Sequence, residues 1–170
     1  SAVAADVRPR VIPNVVDTAF YTPKPSGPQR GSFTFVTVSD LVPVKRVDLL
    51  IEAFNAAFAA DTTVSLVIGG DGPCRAALES QARQQLAAAR IHFVGRLQGR
   101  EAVRDCLWQA DAFALASSYE TFGVVLVEAL ACGLPVVATR CGGPADIVTP
   151  EVGLLCASED SSALRDALTR

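Results

Sequence analysis

Histidine occurs once in the 170 residues, at His92, and no C-x-x-C pair or D-x-D run accompanies it. A metal site built on several imidazoles or on paired thiols is therefore excluded. Neither G-x-x-x-x-G-K-[ST] nor G-x-G-x-x-G occurs, which removes the P-loop and the dinucleotide fingerprint. No apolar run approaches the roughly 20 residues that span a bilayer. The opening "SAVAADVRPRVIPN" lacks the basic start and apolar stretch of a secretory signal. Nor is there a surplus of positive charge: the formal net charge of -3 gives no footprint for nucleic acid and no basic helix for a membrane surface.

What is present points to one well-filled domain. Half of the residues are hydrophobic, and the length suits a single core. Five scattered cysteines (Cys74, Cys106, Cys132, Cys141, Cys156) read as buried, reduced thiols, and with them the expected location is cytoplasmic. His92 opens a strand-like run and reads as structural. Residues 1–30 carry Pro9, Pro13, Pro23, Pro25 and Pro28 and read as a Pro-rich lead-in to a domain over 31–170.

Within 31–170, β-rich runs at 33–38, 64–68, 91–94, 112–115, 135–138 and 153–156 alternate with helical stretches. Those stretches are Arg46–Ala60, Arg75–Ala89, Arg100–Trp108, Gly123–Cys132 and Ser161–Leu168. Val47, Leu50, Ile51 and Phe54 share one face of the first of them. The alternation predicts an α/β domain, a Rossmann-like parallel sheet with helices on both faces. In such sheets ligands bind beyond the C-terminal strand ends. The loops "SDLVPVK", "GGDGP", "GRLQGR", "ASSYETFG" and "TRCGGP" all fall at that edge.

"SSYETFGVVLVEALACGLPVVAT" holds the feature that most needs explaining: Glu128 inside a stretch of Val, Leu, Ala and Cys, with Glu120 eight positions earlier. A buried carboxylate costs several kcal/mol unless something polar meets it. If a helix starts near Gly123, the amides of Gly123, Val124 and Val125 form a positive end suited to phosphate. Glu128, one turn further in, could accept from vicinal hydroxyls such as those of a ribose, and Glu120 from hydroxyls beyond the phosphates. A buried ion pair between Glu128 and an arginine fits the same sequence. The spacing does not choose, because Glu151 and Glu159 are also eight apart. "GGDGP", which contains Gly70, reads by itself first as a tight turn and only second as a ligand loop.

With these residues the chain resembles the family 4 glycosyltransferases, retaining enzymes of the GT-B fold. The E-x7-E segment, "VKRVDLLIEAF", "GGDGP", "HFVGRL" and "VIPNVVDTAFYTP" match that family's motifs in order. The resemblance is to the C-terminal, donor-binding half, with the N-terminal acceptor-binding domain absent. It implies a nucleoside diphosphate sugar as donor and partner, no metal cofactor, and membrane contact only through parts outside this chain. It also implies roles at matching positions: Lys45 and Glu120 at the reacting diphosphate and sugar, and Glu128 on the ribose. Phe122, Gly123 and Val124 would cap the distal phosphate, Gly70 would lie in the second loop, and Arg96 and Leu97 would border the base. Such a half is expected to bind donor without transferring sugar. A nucleotide-sugar epimerase of the same architecture and a degenerate, non-catalytic nucleotide-binding module are the competing readings.

The chain departs from the family pattern at Ser39-Asp40, where Gly-Arg is usual. Asp40 is expected either to repel a diphosphate or to turn away and pair with Lys45 or Arg46. Val15 replaces a glycine of the lead-in motif, and Thr121 a common glycine of the E-x7-E segment.

Overall fold

The computed structural model describes residues 14–25 and 31–170. Six strands, β1 (Phe33–Val38), β2 (Val64–Gly69), β3 (Ile91–Gly95), β4 (Ala112–Leu115), β5 (Val136–Thr139) and β6 (Gly153–Cys156), form one sheet. Every pairing is parallel, and the spatial order is β3-β2-β1-β4-β5-β6. The order reverses between β1 and β4, which makes that junction the topological switch point of the sheet. It is also a short junction. β1 pairs with β2 over six positions, from Phe33↔Val64 to Val38↔Gly69, but with β4 over two, Phe35↔Ala112 and Val36↔Phe113.

Alternation along the strands divides the core into two layers. Phe35, Leu66, Ile68, Ala112, Ala114 and Val137 face α1 (Val47–Phe58), α2 (Arg75–Arg83) and α6 (Ser161–Leu168), where Leu50, Ile51, Phe54, Leu78 and Leu164 cover them. Their sequence neighbours Val36, Phe113, Leu115, Val136 and Ala138 face the other way, onto α3 (Gly99–Leu107) and α4 (Val124–Ala131), through Leu107, Leu126 and Ala129. The central strands β1, β4 and β5 are buried on both faces and read as continuous apolar runs, whereas edge strand β3 exposes His92 and Val94.

Beyond shifts of one or two residues at element ends, two features depart from the sequence expectation. Helix α2 ends at Arg83, although Gln84–Ala89 is made of good helix formers. The chain must turn there to enter β3. Asn55 Oδ1 accepts from Ala87 N–H, and the Arg90 guanidinium donates to the carbonyls of Val64 and Phe58, so tertiary bonds override local propensity. A short helix, α5 (Gly143–Ile147), lies within what reads as loop, with Pro144 in its first turn.

The described part of the Pro-rich lead-in packs against the face carrying α3 and α4. Tyr21 is buried in the core of that face, and Trp108 Nε1–H donates to Thr22 O at 2.7 Å. The Arg100 guanidinium sits 3.7 Å from the Phe20 ring centroid and bonds Asp17 at 2.7 Å. Residues 1–13 and 26–30 of the lead-in lie outside the described residues.

Candidate functional site

The loops after β1 and β4 flank the switch point, and backbone bonds tie them together. Ser118 N–H donates to Val44 O at 2.9 Å. The next residue in the first loop, Lys45, closes a short 3-10 turn (Pro43–Lys45), and its Nζ lies 2.5 Å from Glu120 Oε2. Both side chains are mostly shielded from water, at 22% and 13% exposure. The sequence assigns these residues separate tasks; the structure makes each the other's counter-ion.

Glu120 is held from below by the loop after β5. Its N–H donates to Cys141 O, and its carbonyl accepts from Gly143 N–H, both at 2.9 Å. The Gly-Gly pair permits this approach. A Cβ on Gly142 would fall 2.5 Å from Glu120 O, and one on Gly143 would fall 2.5 Å from Phe122 Cα. Phe122 and Gly123 then lead into α4, with Gly123 as N-cap at φ +90°, a left-handed conformation glycine adopts without strain. Leu126 and Val127 N–H return to Gly123 O, so the amides of Val124 and Val125 are left at the positive helix end.

Val124 and Glu128, four residues apart on α4, share a face and line one cleft of about 260 Å³ with Asp17, Tyr21 and Arg100. Glu128 is half-buried. Burial raises its carboxyl above the ordinary 4.5, while a side-chain hydrogen bond with Tyr21 and the charge of Arg100 act against the rise. Tyr21 is pushed upward in turn, by burial first and then by Glu128, so its hydroxyl stays protonated. Arg100 faces Glu128 yet is bonded to Asp17, so the arginine ion pair considered for Glu128 is not what satisfies it.

A second cleft, of about 440 Å³, is lined by Ser39, Asp40, Gly70, Asp71, Arg96 and Leu97, among others. Gly70 has a clear structural job: a Cβ there would lie 1.8 Å from Ser39 O, and its N–H donates to Gly95 O at 2.7 Å. Gln98, the N-cap of α3, lies in this cleft and Arg100 in the other, so the first turn of α3 stands between them. Among the described residues Asp40 pairs with neither expected cation. Lys45 is taken by Glu120, and Arg46 bonds Asp48 and Glu159. Asp40 stands exposed on the cleft wall, next to Ser39, whose Oγ is buried without a hydrogen-bond partner.

The sequence-derived set thus falls into three places on one rim: Lys45, Glu120, Phe122 and Gly123 at the switch point, Val124 and Glu128 beside the lead-in, and Gly70, Arg96 and Leu97 in the larger cleft. Sequence reasoning missed Asp17, Tyr21 and Arg100. A tyrosine in a Pro-rich lead-in carries no period that would mark it, and only the fold brings it to α4. Burial pushes the Cys106, Cys132 and Cys156 thiols up to about 11, which keeps these three in the unreactive protonated form. Among the described residues no three His, Cys, Asp or Glu side chains gather in a group that could hold a metal ion, and no helix is long and apolar enough to cross a membrane.

Comparison with known proteins identifies the architecture. The family model for glycosyl transferases group 1 matches residues 22–170. Over 168 residues the chain is 32% identical to the gpi3 subunit of the Schizosaccharomyces pombe phosphatidylinositol N-acetylglucosaminyltransferase, covering 99% of this chain and 36% of that protein. A GDP-mannose-dependent alpha-(1-6)-phosphatidylinositol dimannoside mannosyltransferase of Mycobacterium tuberculosis is 36% identical over 124 residues, 73% of this chain and 31% of that protein. The chain spans about a third of the length of the curated relatives it matches. The crystal structure of Anabaena Alr3699/HepE in complex with UDP and glucose superposes with a TM-score of 0.79 at 27% identity, over 92% of this chain and 45% of that one.

Proposed function

The chain belongs to the group 1 glycosyl transferases, and from that premise we propose that it is the donor-binding domain of a retaining glycosyltransferase acting on a nucleoside diphosphate sugar. The observation that carries this reading is the crowding of Lys45, Glu120 and the amide end of α4 around the β1–β4 switch point, with Glu128 one turn further along the same helix. Brought to one rim, these groups match a ligand with charge at its centre and hydroxyls at either end. Anabaena Alr3699/HepE, a structural neighbour, holds UDP and glucose.

In this reading the diphosphate lies at the Val124 and Val125 amides, with Lys45 as its counter-charge and no metal required. Glu128 accepts from the ribose hydroxyls, Glu120 from the sugar, and the Arg96–Leu97 backbone borders the base. As the glycosidic bond breaks, positive charge grows on the sugar and negative charge on the departing phosphate. Lys45 and the helix amides are aimed at the latter, and fixed dipoles of this kind lower barriers by several kcal/mol. Transfer itself belongs to a longer protein with an acceptor-binding half, working in the cytoplasm.

Calorimetric titration with UDP, GDP and ADP and their sugar conjugates tests the reading. Binding of at least one is expected, weakened by Glu128→Ala for diphosphate and conjugate alike. Glu120→Ala is expected to erase the preference for the conjugate. No heat from any of them at millimolar concentration would overturn it.

A further inference from the structure

We propose that Tyr21 is a positioning residue for the donor site, its hydroxyl holding the Glu128 carboxylate in the orientation that receives the ribose. The inference rests on the reading of Glu128 just given and extends it to a residue of the lead-in segment.

The geometry is a cluster. Tyr21 is 5% exposed, and its ring is fixed from several sides. Phe20 meets it edge-on at 5.1 Å, and the Arg100 guanidinium lies 5.8 Å from its centroid. The segment carrying it is clamped by the Asp17–Arg100 pair and by the Trp108–Thr22 bond. Tyr21 lines the same cleft as Val124 and Glu128, and a side-chain hydrogen bond between Tyr21 and Glu128 acts to lower the Glu128 carboxyl. An ionised carboxylate has lone pairs for about four donors. One donor from the protein therefore orients Glu128 and leaves acceptor capacity for two vicinal hydroxyls.

The groups facing Glu128 make the idea measurable. They are Tyr21 and Asp17 from the lead-in, Arg100 at the start of α3, and Cys132 at the end of α4, with Arg104 beside Cys132. Burial raises Glu128, and Tyr21 and Arg100 lower it. Asp17 is held below its ordinary value, chiefly by its hydrogen bond with Arg100, so it stays ionised where Glu128 takes up its proton. Removing the Tyr21 hydroxyl takes one restraint off Glu128 and lifts its titration. Donor binding, which needs the carboxylate, then fails at a higher pH.

The experiment uses the full chain, Tyr21→Phe, Glu128→Ala and the double variant. UDP, GDP and ADP and their 2′-deoxy counterparts are titrated between about pH 4 and 8. Tyr21→Phe is expected to weaken the best-bound ribonucleotide about three- to tenfold, within the net worth of one typical hydrogen bond. It is expected to weaken the deoxy form less, and to move the acid limb of the binding profile upward. In the Glu128→Ala background, where no acceptor is left, the same change is expected to cost nothing more. The phosphate ionisation of the ligand is common to all variants and cancels. Equal losses in both backgrounds, or an unmoved acid limb, would overturn the role of Tyr21 while leaving the donor site intact. A parent chain that binds none of the nucleotides would take both down.

Discussion

Lys45 Nζ and Glu120 Oε2 lie 2.5 Å apart across the seam where the sheet reverses its order, so two residues 75 positions apart in sequence share one mostly dry ion pair. Breaking one side strands the other charge. Lys45→Met is expected to cost about 1–3 kcal/mol in urea denaturation, since a shielded carboxylate loses its partner. The double variant Lys45→Met/Glu120→Gln should recover most of that stability. Neither should bind a nucleoside diphosphate sugar as the parent does, which separates the structural role of the pair from its binding role.

Gly143→Ala tests the support beneath Glu120. The added methyl would meet Phe122 Cα and O at 2.5 Å, contacts that only a backbone shift relieves. A loss of about 1–3 kcal/mol is expected on thermal melting. Because Gly143 N–H also holds the Glu120 carbonyl, donor affinity should fall as it does in Glu120→Ala, although no atom of Gly143 need touch ligand.

Arg46 adopts φ +46° at the N-cap of α1, and its partner Glu159 is likewise left-handed at +59°. Holding a residue with a Cβ in that region costs about 1–2 kcal/mol. Arg46→Gly removes the strain along with the ion pairs to Asp48 and Glu159, pairs worth about 0–1 kcal/mol each at such exposure. Arg46→Ala loses the pairs and keeps the strain. Denaturation should therefore rank alanine below glycine; the reverse order would contradict the strain argument.

Glu128 sets a pH signature on stability. Its carboxyl holds a proton more tightly folded than unfolded, so it favours the native state most below 4.5. That advantage is lost as pH rises through the raised value, leaving a net cost at neutrality. Glu128→Gln is expected to raise the melting temperature of the ligand-free chain at pH 7 and to do nothing at pH 4 or below. A variant that melts lower at pH 7 would contradict the burial argument.

The strands were legible because the central ones are buried on both faces and all are bounded by glycine or polar loops, and the rim follows from parallel pairing alone. Gly123 as a helix start and Glu128 one turn in could be read from residue types. The Lys45–Glu120 contact could not, because it depends on which strands are neighbours, and strand order leaves no local trace. Nor could the early stop of α2, where Asn55 and Arg90 outbid a run of good helix formers. Asp40 was legible as a departure, but its exposed place on the cleft wall emerges only once Lys45 and Arg46 are seen to be engaged elsewhere.

The two-position pairing of β1 with β4 has a mechanical meaning. The sheet is effectively two three-stranded leaves stitched along a narrow hem, and the proposed donor contacts are shared between leaves. Lys45, Gly70 and Arg96 belong to one; Glu120, Val124 and Glu128 belong to the other. A molecule lying across both would act as a suture, slowing amide exchange first at Val36 and Phe113 rather than at the helices that surround it.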